Sequence, residues 1–246
     1  MTSMRILRLM PELLQLNGSL GNAEVLATRA RWFGAEVSVA NAEAGSLLTE
    51  RPDIVTIGHG TSSTLAPCAA AVQQWTATLT HWHDQGVVFV GTGLGGDFLG
   101  QSVSDTQGTE YLGVALTAIR TQLGGERFSG EVAGHDHQGR ECAGYLNDHT
   151  TRQAEGSISP LVTLDRPGLG QWTGATAPQS DGVVSSSVWV SALSGPVLAL
   201  NPHLADDILR AVWARLGSDL PNHSAKHQKA DHWAAAARSA MSDRLG

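Results

Sequence analysis

The sequence predicts an α/β fold: a mainly parallel sheet flanked by helices, with a β extension. Three observations carry this expectation. Short apolar runs of strand length alternate with segments of helical period through the first hundred residues, the pattern of a doubly wound sheet. The stretch Gly86 to Gly100, GVVFVGTGLGGDFLG, joins a buried-strand run to a tight glycine turn and then to a segment able to open a helix. In α/β proteins such a turn, at the carboxyl edge of a parallel sheet, is where ligands bind and nucleophiles are mounted. After Gly100 the texture changes to short β-type runs separated by Gly, Asp, His and Pro, which predicts an antiparallel extension of the sheet or a small β layer.

The elements follow in order. Arg5 to Met10 (RILRLM) reads as the first strand, and Pro11 to Gly21 as a loop. Asn22 stands at an N-cap position before a helix in which Leu26, Ala30 and Phe33 recur at helical spacing. Arg29 and Arg31 fall off that stripe and are expected in solvent, and Gly34 closes the helix. Ala35 to Ala40 alternates as a short strand, and Asp53 to Ile57 (DIVTI) suits a central parallel strand. The loop Gly58-His59-Gly60-Thr61 leads to a helix from about Ala66 to His83. Beyond the glycine turn, Leu112 to Thr121, Glu126 to Ala133, Glu141 to Tyr145 and Leu161 to Leu164 read as strands. Arg166 to Asp181 reads as a long surface loop, Val183 to Leu193 as one strand, and His203 to Leu216 as an amphipathic helix. A last helix, Asp231 to Arg244, follows the polar segment Ser218 to Lys229. This divides the chain into a domain over residues 1–217 and a helical tail over residues 218–246 that packs on it.

Composition excludes several classes. With 246 residues the chain can bury a sizeable core as one domain with a small appendage. A net charge of −7 gives no basic footprint for nucleic acid or an anionic membrane. Cys68 and Cys142 make no disulfide framework, and the N-terminus lacks the apolar core of a secretory signal. These features fit a soluble cytoplasmic protein with no membrane span.

Several blocks carry a resemblance: LQLNGSLGN (Leu14 to Asn22), DIVTIGHGTSS (Asp53 to Ser63), the glycine turn, QGTEYLGVAL (Gln107 to Leu116), ERFSGEV (Glu126 to Val132) and SGPVLALNPHLADDIL (Ser194 to Leu209). In order and spacing they resemble the cobyric-acid-synthase-type class I glutamine amidotransferases, nearest to the amidotransferase subunit of lipid II isoglutaminyl synthase. The resemblance implies a class I glutamine amidotransferase-like fold. It also implies that a cysteine on the elbow attacks the glutamine side-chain amide, and that the ammonia passes to a Mur-ligase-like synthetase subunit in peptidoglycan precursor amidation. The family's cysteine falls on Gly93 and its histidine on Ser194. A glycine cannot be a nucleophile, and a serine hydroxyl cannot act as a base near neutral pH. The family's Asn-His pair reads Asn147-Asp148 here, while its substrate-associated arginine matches Arg127. The expectation is a catalytically degenerate subunit without cofactor, with Arg127, Gly60 and Gly95 as candidate substrate-binding positions.

Other residues compete for attention. Gly91 to Gly96 formally satisfies the G-x-G-x-x-G of dinucleotide sites. Cys68, at a helix start, could have a thiol made more acidic by the helix dipole, and it or Ser194 could serve as a relocated nucleophile. The pairs His81/His83 and His135/His137 offer metal-ligand spacing without further ligands in view, so no metal is expected. Trp75, Trp82, Trp189 and Trp213 read as core, whereas Trp172, in the predicted loop, is the candidate for a partner contact. A module that binds a small molecule or a protein in the glycine-lined pocket stands as the alternative function.

Overall fold

The computed structural model of the chain describes residues 2–156, 159–166, 172–174, 179–185 and 187–245. Its first part runs β1 (Ser3–Leu9), α1 (Gly21–Trp32), β2 (Glu36–Ala42), β3 (Ile54–Ile57), α2 (Leu65–Asp84), β4 (Val88–Thr92) and the short α3 (Leu94–Asp97). Then come β5 (Ser102–Ser104), β6 (Glu110–Leu112), β7 (Ile119–Asp136), β8 (Glu141–Ala154), β9 (Val162–Leu164), β10 (Trp172–Gly174) and β11 (Ser180–Asp181). The remainder is β12 (Val183–Val184), β13 (Val188–Ser191), β14 (Leu193–Ser194), α4 (Val197–Leu200), α5 (Pro202–Arg215) and α6 (Ala225–Leu245). No helix among the described residues is long and apolar enough to cross a membrane.

Six strands form a sheet in the order β12-β13-β4-β3-β1-β2, parallel except at β12. Its central strands bury both faces, which is why they read as near-continuous apolar runs. Met4, Ile6, Ile54, Val88 and Val90 pack into one core with α1 and α5; Leu7, Leu9, Val55, Ile57, Val87 and Phe89 pack into the other with α2. The second sheet, built around the β7–β8 hairpin, has the order β10-β8-β7-β5-β6 and is the predicted β extension.

Several expected boundaries move. Leu112 to Thr121 is not one strand: β6 ends at Leu112, the chain turns through Ala115 at φ +61°, and β7 begins at Ile119. Glu126 to Ala133 lies inside β7, whose pairing with β8 shifts register between Leu123 and Phe128, and the glycines there mask its continuity. Val183 to Leu193 is β12 turning back antiparallel onto β13. The predicted loop from Arg166 to Asp181 contains β10 and β11, and its other part, 167–171 and 175–178, lies outside the described residues. The last helix starts at Ala225, inside the segment read as polar linker.

Asn22 does not cap α1, which begins at Gly21; its Oδ1 instead accepts the Leu198 N–H at 3.1 Å, tying α1 to α4. Arg29 is not in solvent but only 2% exposed. Its Nε and Nη2 donate to the two carboxylate oxygens of Asp206 on α5 at 2.7 and 2.6 Å, and its Nη1 donates to Asp231 on α6 at 2.7 Å. The His227 ring lies 3.9 Å from that of Phe33, so α6 is held both by charge and by packing. A position off the apolar stripe turned out to be the clasp for the tail.

Two predictions follow from these buried charges. Arg29→Ala leaves the buried Asp206 with only His223, 3.0 Å away, as a partner, so urea denaturation should show a loss of about 3 kcal/mol. Asp181 is fully buried, and although Ser191 Oγ and the Ala192 N–H donate to it at 2.6 and 3.0 Å, burial raises its pKa to about 6. A carboxyl whose folded pKa lies above its unfolded value favours folding while protonated and loses that contribution as pH rises. The stability difference between Asp181→Asn and the parent should therefore grow in favour of the variant from about pH 4 to about pH 6.

Candidate functional site

The β4 strand ends at Thr92, and the chain reverses at Gly93 with φ +51° and ψ −130°, a conformation that L side chains rarely adopt. The turn is packed against backbone on both sides. The Gly95 N–H donates to Gly58 O at 2.9 Å, and a Cβ on Gly91 would approach Gly96 Cα to 2.5 Å. The glycines of the G-x-G-x-x-G pattern thus serve close packing, and the N–H groups of Leu94 and Gly95 are already taken. The dinucleotide reading fails for that reason.

The position a nucleophile would occupy is filled from the neighbouring loop. A Cβ built on Gly93 would come within 2.6 Å of His59 Cγ and closer still to Nδ1. Nδ1 accepts the Leu94 N–H at 3.1 Å. A backbone N–H can only donate, so Nδ1 is the acceptor and the neutral ring carries its proton on Nε2. Burial lowers the His59 pKa, against the pull of Asp97 and Asp148, and keeps the ring neutral. Its backbone is fixed as well: the His59 N–H donates to Ser19 Oγ at 3.0 Å, and its carbonyl accepts from Leu16 N at 2.9 Å.

Beside it lies a cavity of about 270 Å³ whose wall includes His59, Gly60, Arg127, Asn147, Asp148 and His149. Asp97, one turn past the elbow, forms part of it and binds Arg152 of β8 in a fork, Nε–Oδ1 2.6 Å and Nη2–Oδ2 3.1 Å. Arg152 also pairs with Asp148, and its guanidinium sits 5.4 Å from the ring centroid of Trp172. Burial alone would raise the Asp148 pKa; Arg152 overcomes this and holds it below the usual carboxylate range.

The predicted site residues distribute unevenly. Arg127 and Gly60 line the cavity; Gly95 packs under Gly58, and its N–H is spent there. Arg127 Nη1 donates to Asn147 Oδ1 at 2.8 Å. Ser194 is half-buried, and its Oγ accepts from Asn17 Nδ2 at 3.3 Å, an amide that cannot act as a base. Cys68 is fully buried, and burial pushes its thiol up to about 11, the reverse of activation by a helix dipole. Cys142 is likewise pushed up to about 12. Trp172 is 2% exposed and packs in the core, so it offers no partner surface. His81 contacts Gln85 and His135 contacts Asp165, each on the surface and apart from the cavity. The cavity side chains that sequence reasoning did not single out include His59, Asp97, His149 and Arg152. Only His59 carried a signal: a bulky residue between two glycines, directly after a buried strand.

A family profile described as the CobB/CobQ-like glutamine amidotransferase domain matches residues 5–201. Among solved structures, a glutamine amidotransferase is similar with a TM-score of 0.54 at 13% identity, over 84% of this chain and 98% of that one. A glutamine amidotransferase from Thermotoga maritima gives 0.53 at 10% identity, over 98% and 94%. PurLQS from Thermotoga maritima gives 0.51 at 10% identity, over 88% of this chain and 100% of the matched one. At such identities the likeness establishes the fold alone. No curated protein matches the chain.

The overlap at the elbow predicts strong coupling between positions 59 and 93. Gly93→Cys alone should destabilise the chain by about 1–3 kcal/mol, because the new side chain must displace the imidazole. Adding His59→Gly should restore part of that loss, with a coupling of at least about 1 kcal/mol in a denaturation cycle.

Proposed function

The chain belongs to the CobB/CobQ-like glutamine amidotransferase family, and from that premise we propose that it is a catalytically degenerate member that does not hydrolyse glutamine. The observation that carries this is the exchange at the elbow. Gly93 supplies no thiol, and the imidazole of His59 occupies the space and takes the Leu94 N–H. In the amide chemistry of the family, a backbone N–H beside the nucleophile would hold the developing oxyanion. Ser194 provides no base in place of the matching histidine. The relocated-nucleophile reading loses its support, since Cys68 is buried with a raised pKa and Ser194 meets only an amide.

The resemblance to the amidotransferase subunit of lipid II isoglutaminyl synthase supports a more specific role. The chain acts as a non-hydrolysing subunit beside a Mur-ligase-like synthetase that amidates a peptidoglycan precursor, in the cytoplasm, with the synthetase using free ammonia. Arg127 and Gly60, on the cavity wall, are the substrate-binding positions in this reading, and Gly95 supports the loop that carries Gly60. Residues 218–246 are an appendage clasped to the domain by Arg29. The alternative, a module that binds a small molecule or a protein, is favoured by one observation: a cavity of about 270 Å³ stands beside the elbow.

Ammonia release from glutamine, measured with the purified chain alone and with a candidate synthetase, should lie at least about 10³-fold below that of an intact family member. Comparable release would overturn the proposal. Introducing a thiol should yield turnover only in the triple variant Gly93→Cys, Ser194→His, His59→Gly, since the imidazole blocks the elbow otherwise.

A further inference from the structure

Of the chain's seven tryptophans only Trp233 is exposed, at 64%. It sits on α6, a helix of 21 residues that buries only His227 and Ala234. The stripe His227, Asp231, Ala234 and Arg238 faces the domain: Asp231 meets Arg29, and Arg238 donates to Leu200 O at 2.6 Å. Ala230, Trp233 and Ala237 follow at i, i+3 and i+7, so they share the flank beside that stripe. Next to this flank is a pocket of about 260 Å³ between α1, α4 and α6, walled by Val25, Thr28, Trp32, Leu198, Pro202 and Ala230. A large apolar knob and a mainly apolar hole thus stand side by side on one surface. The knob has a basic neighbour, the exposed Lys229 one turn before Trp233, and the hole has an acidic one, the exposed Glu24 on its rim.

We propose that two copies of this chain associate through this surface about a two-fold axis, the Trp233 side chain of each entering the pocket between α1, α4 and α6 of the other. The proposal is independent of the reading of the elbow. A two-fold axis puts the same patch on both sides of an interface, so the patch must be complementary to itself. This one is. Rotation brings knob to hole twice, and it brings Lys229 of each copy toward Glu24 of the other. A head-to-tail pair would leave one knob and one hole unfilled, and a different protein would have to supply both. A desolvated indole in a pocket is among the strongest single contributions to an interface. Arg29 lines the pocket, and its ion pairs with Asp206 and Asp231 fix α6 against α1 and α5. The clasp therefore sets the hole and the knob together. It also gives a purpose to a 21-residue helix that contributes so little to the core of its own domain.

The test is sedimentation velocity of the purified full chain over a dilution series from high to low micromolar concentration. The parent should be a dimer that dissociates on dilution. Trp233→Ala removes an exposed side chain, should leave the fold intact and should raise the dissociation constant at least about 30-fold. Lys229→Glu should raise it about 3-fold or more. Adding Glu24→Lys to that variant should restore most of the loss, which a merely structural effect of either change would not do. A chain that is monomeric at every concentration would overturn the proposal, and so would a dimer that keeps its affinity in Trp233→Ala. A monomer that instead binds a synthetase through Trp233 would give the patch to that partner and overturn it as well.

Discussion

The loop after β3 and the elbow after β4 approach so closely that only one of them can carry a side chain at their point of contact. In this chain the loop carries it. The imidazole of His59 fills the volume over Gly93, and its Nδ1 accepts the N–H of Leu94. Steric exclusion and hydrogen bonding act together here. The glycine at φ +51° is required by the turn and by the ring above it, and the ring is held neutral by burial and by the donor it accepts.

The contact depends on rigid supports. The parallel pairing of β3 with β4 sets the two loops side by side at the carboxyl edge of the sheet, and the Gly95 N–H to Gly58 O bond locks one to the other. The second sheet closes the cavity through the Asp97–Arg152–Asp148 group, buried under Trp172. That group is electrostatically expensive to leave half-paired, so it fixes the hairpin of β7 and β8 relative to the elbow helix. Such a scaffold holds a cavity open whether or not the cavity performs chemistry.

Much of this was legible in the sequence, and the part that was not has physical reasons. The parallel character of the first sheet and its central strands followed from runs buried on both faces, such as Ile54–Ile57 and Val88–Thr92, which must be apolar throughout. The proposal of a degenerate site rests on Gly93 and Ser194, which the sequence already places where the family has its cysteine and histidine. What stayed hidden were contacts between residues far apart in the chain. Asp97 and Arg152 are separated by 55 positions, so nothing local pairs them, and Arg29 reads as an exposed helix face until α5 and α6 arrive. Trp172 lies in a stretch whose glycines and prolines resemble surface loop, although its ring is core. His59 was visible as a letter in the loop, but nothing local says that its ring reaches the place of a side chain missing 34 positions later.

The His59 ring occupies the elbow as a neutral imidazole protonated on Nε2. Long-range ¹H–¹⁵N correlation of the imidazole nitrogens near neutral pH reads that state directly. The account predicts a His59 Nδ1 with the shift of an unprotonated, hydrogen-bond-accepting nitrogen and a protonated Nε2. A charged ring, or a ring protonated on Nδ1, would show that it does not accept the Leu94 N–H, and the account of the elbow would be wrong.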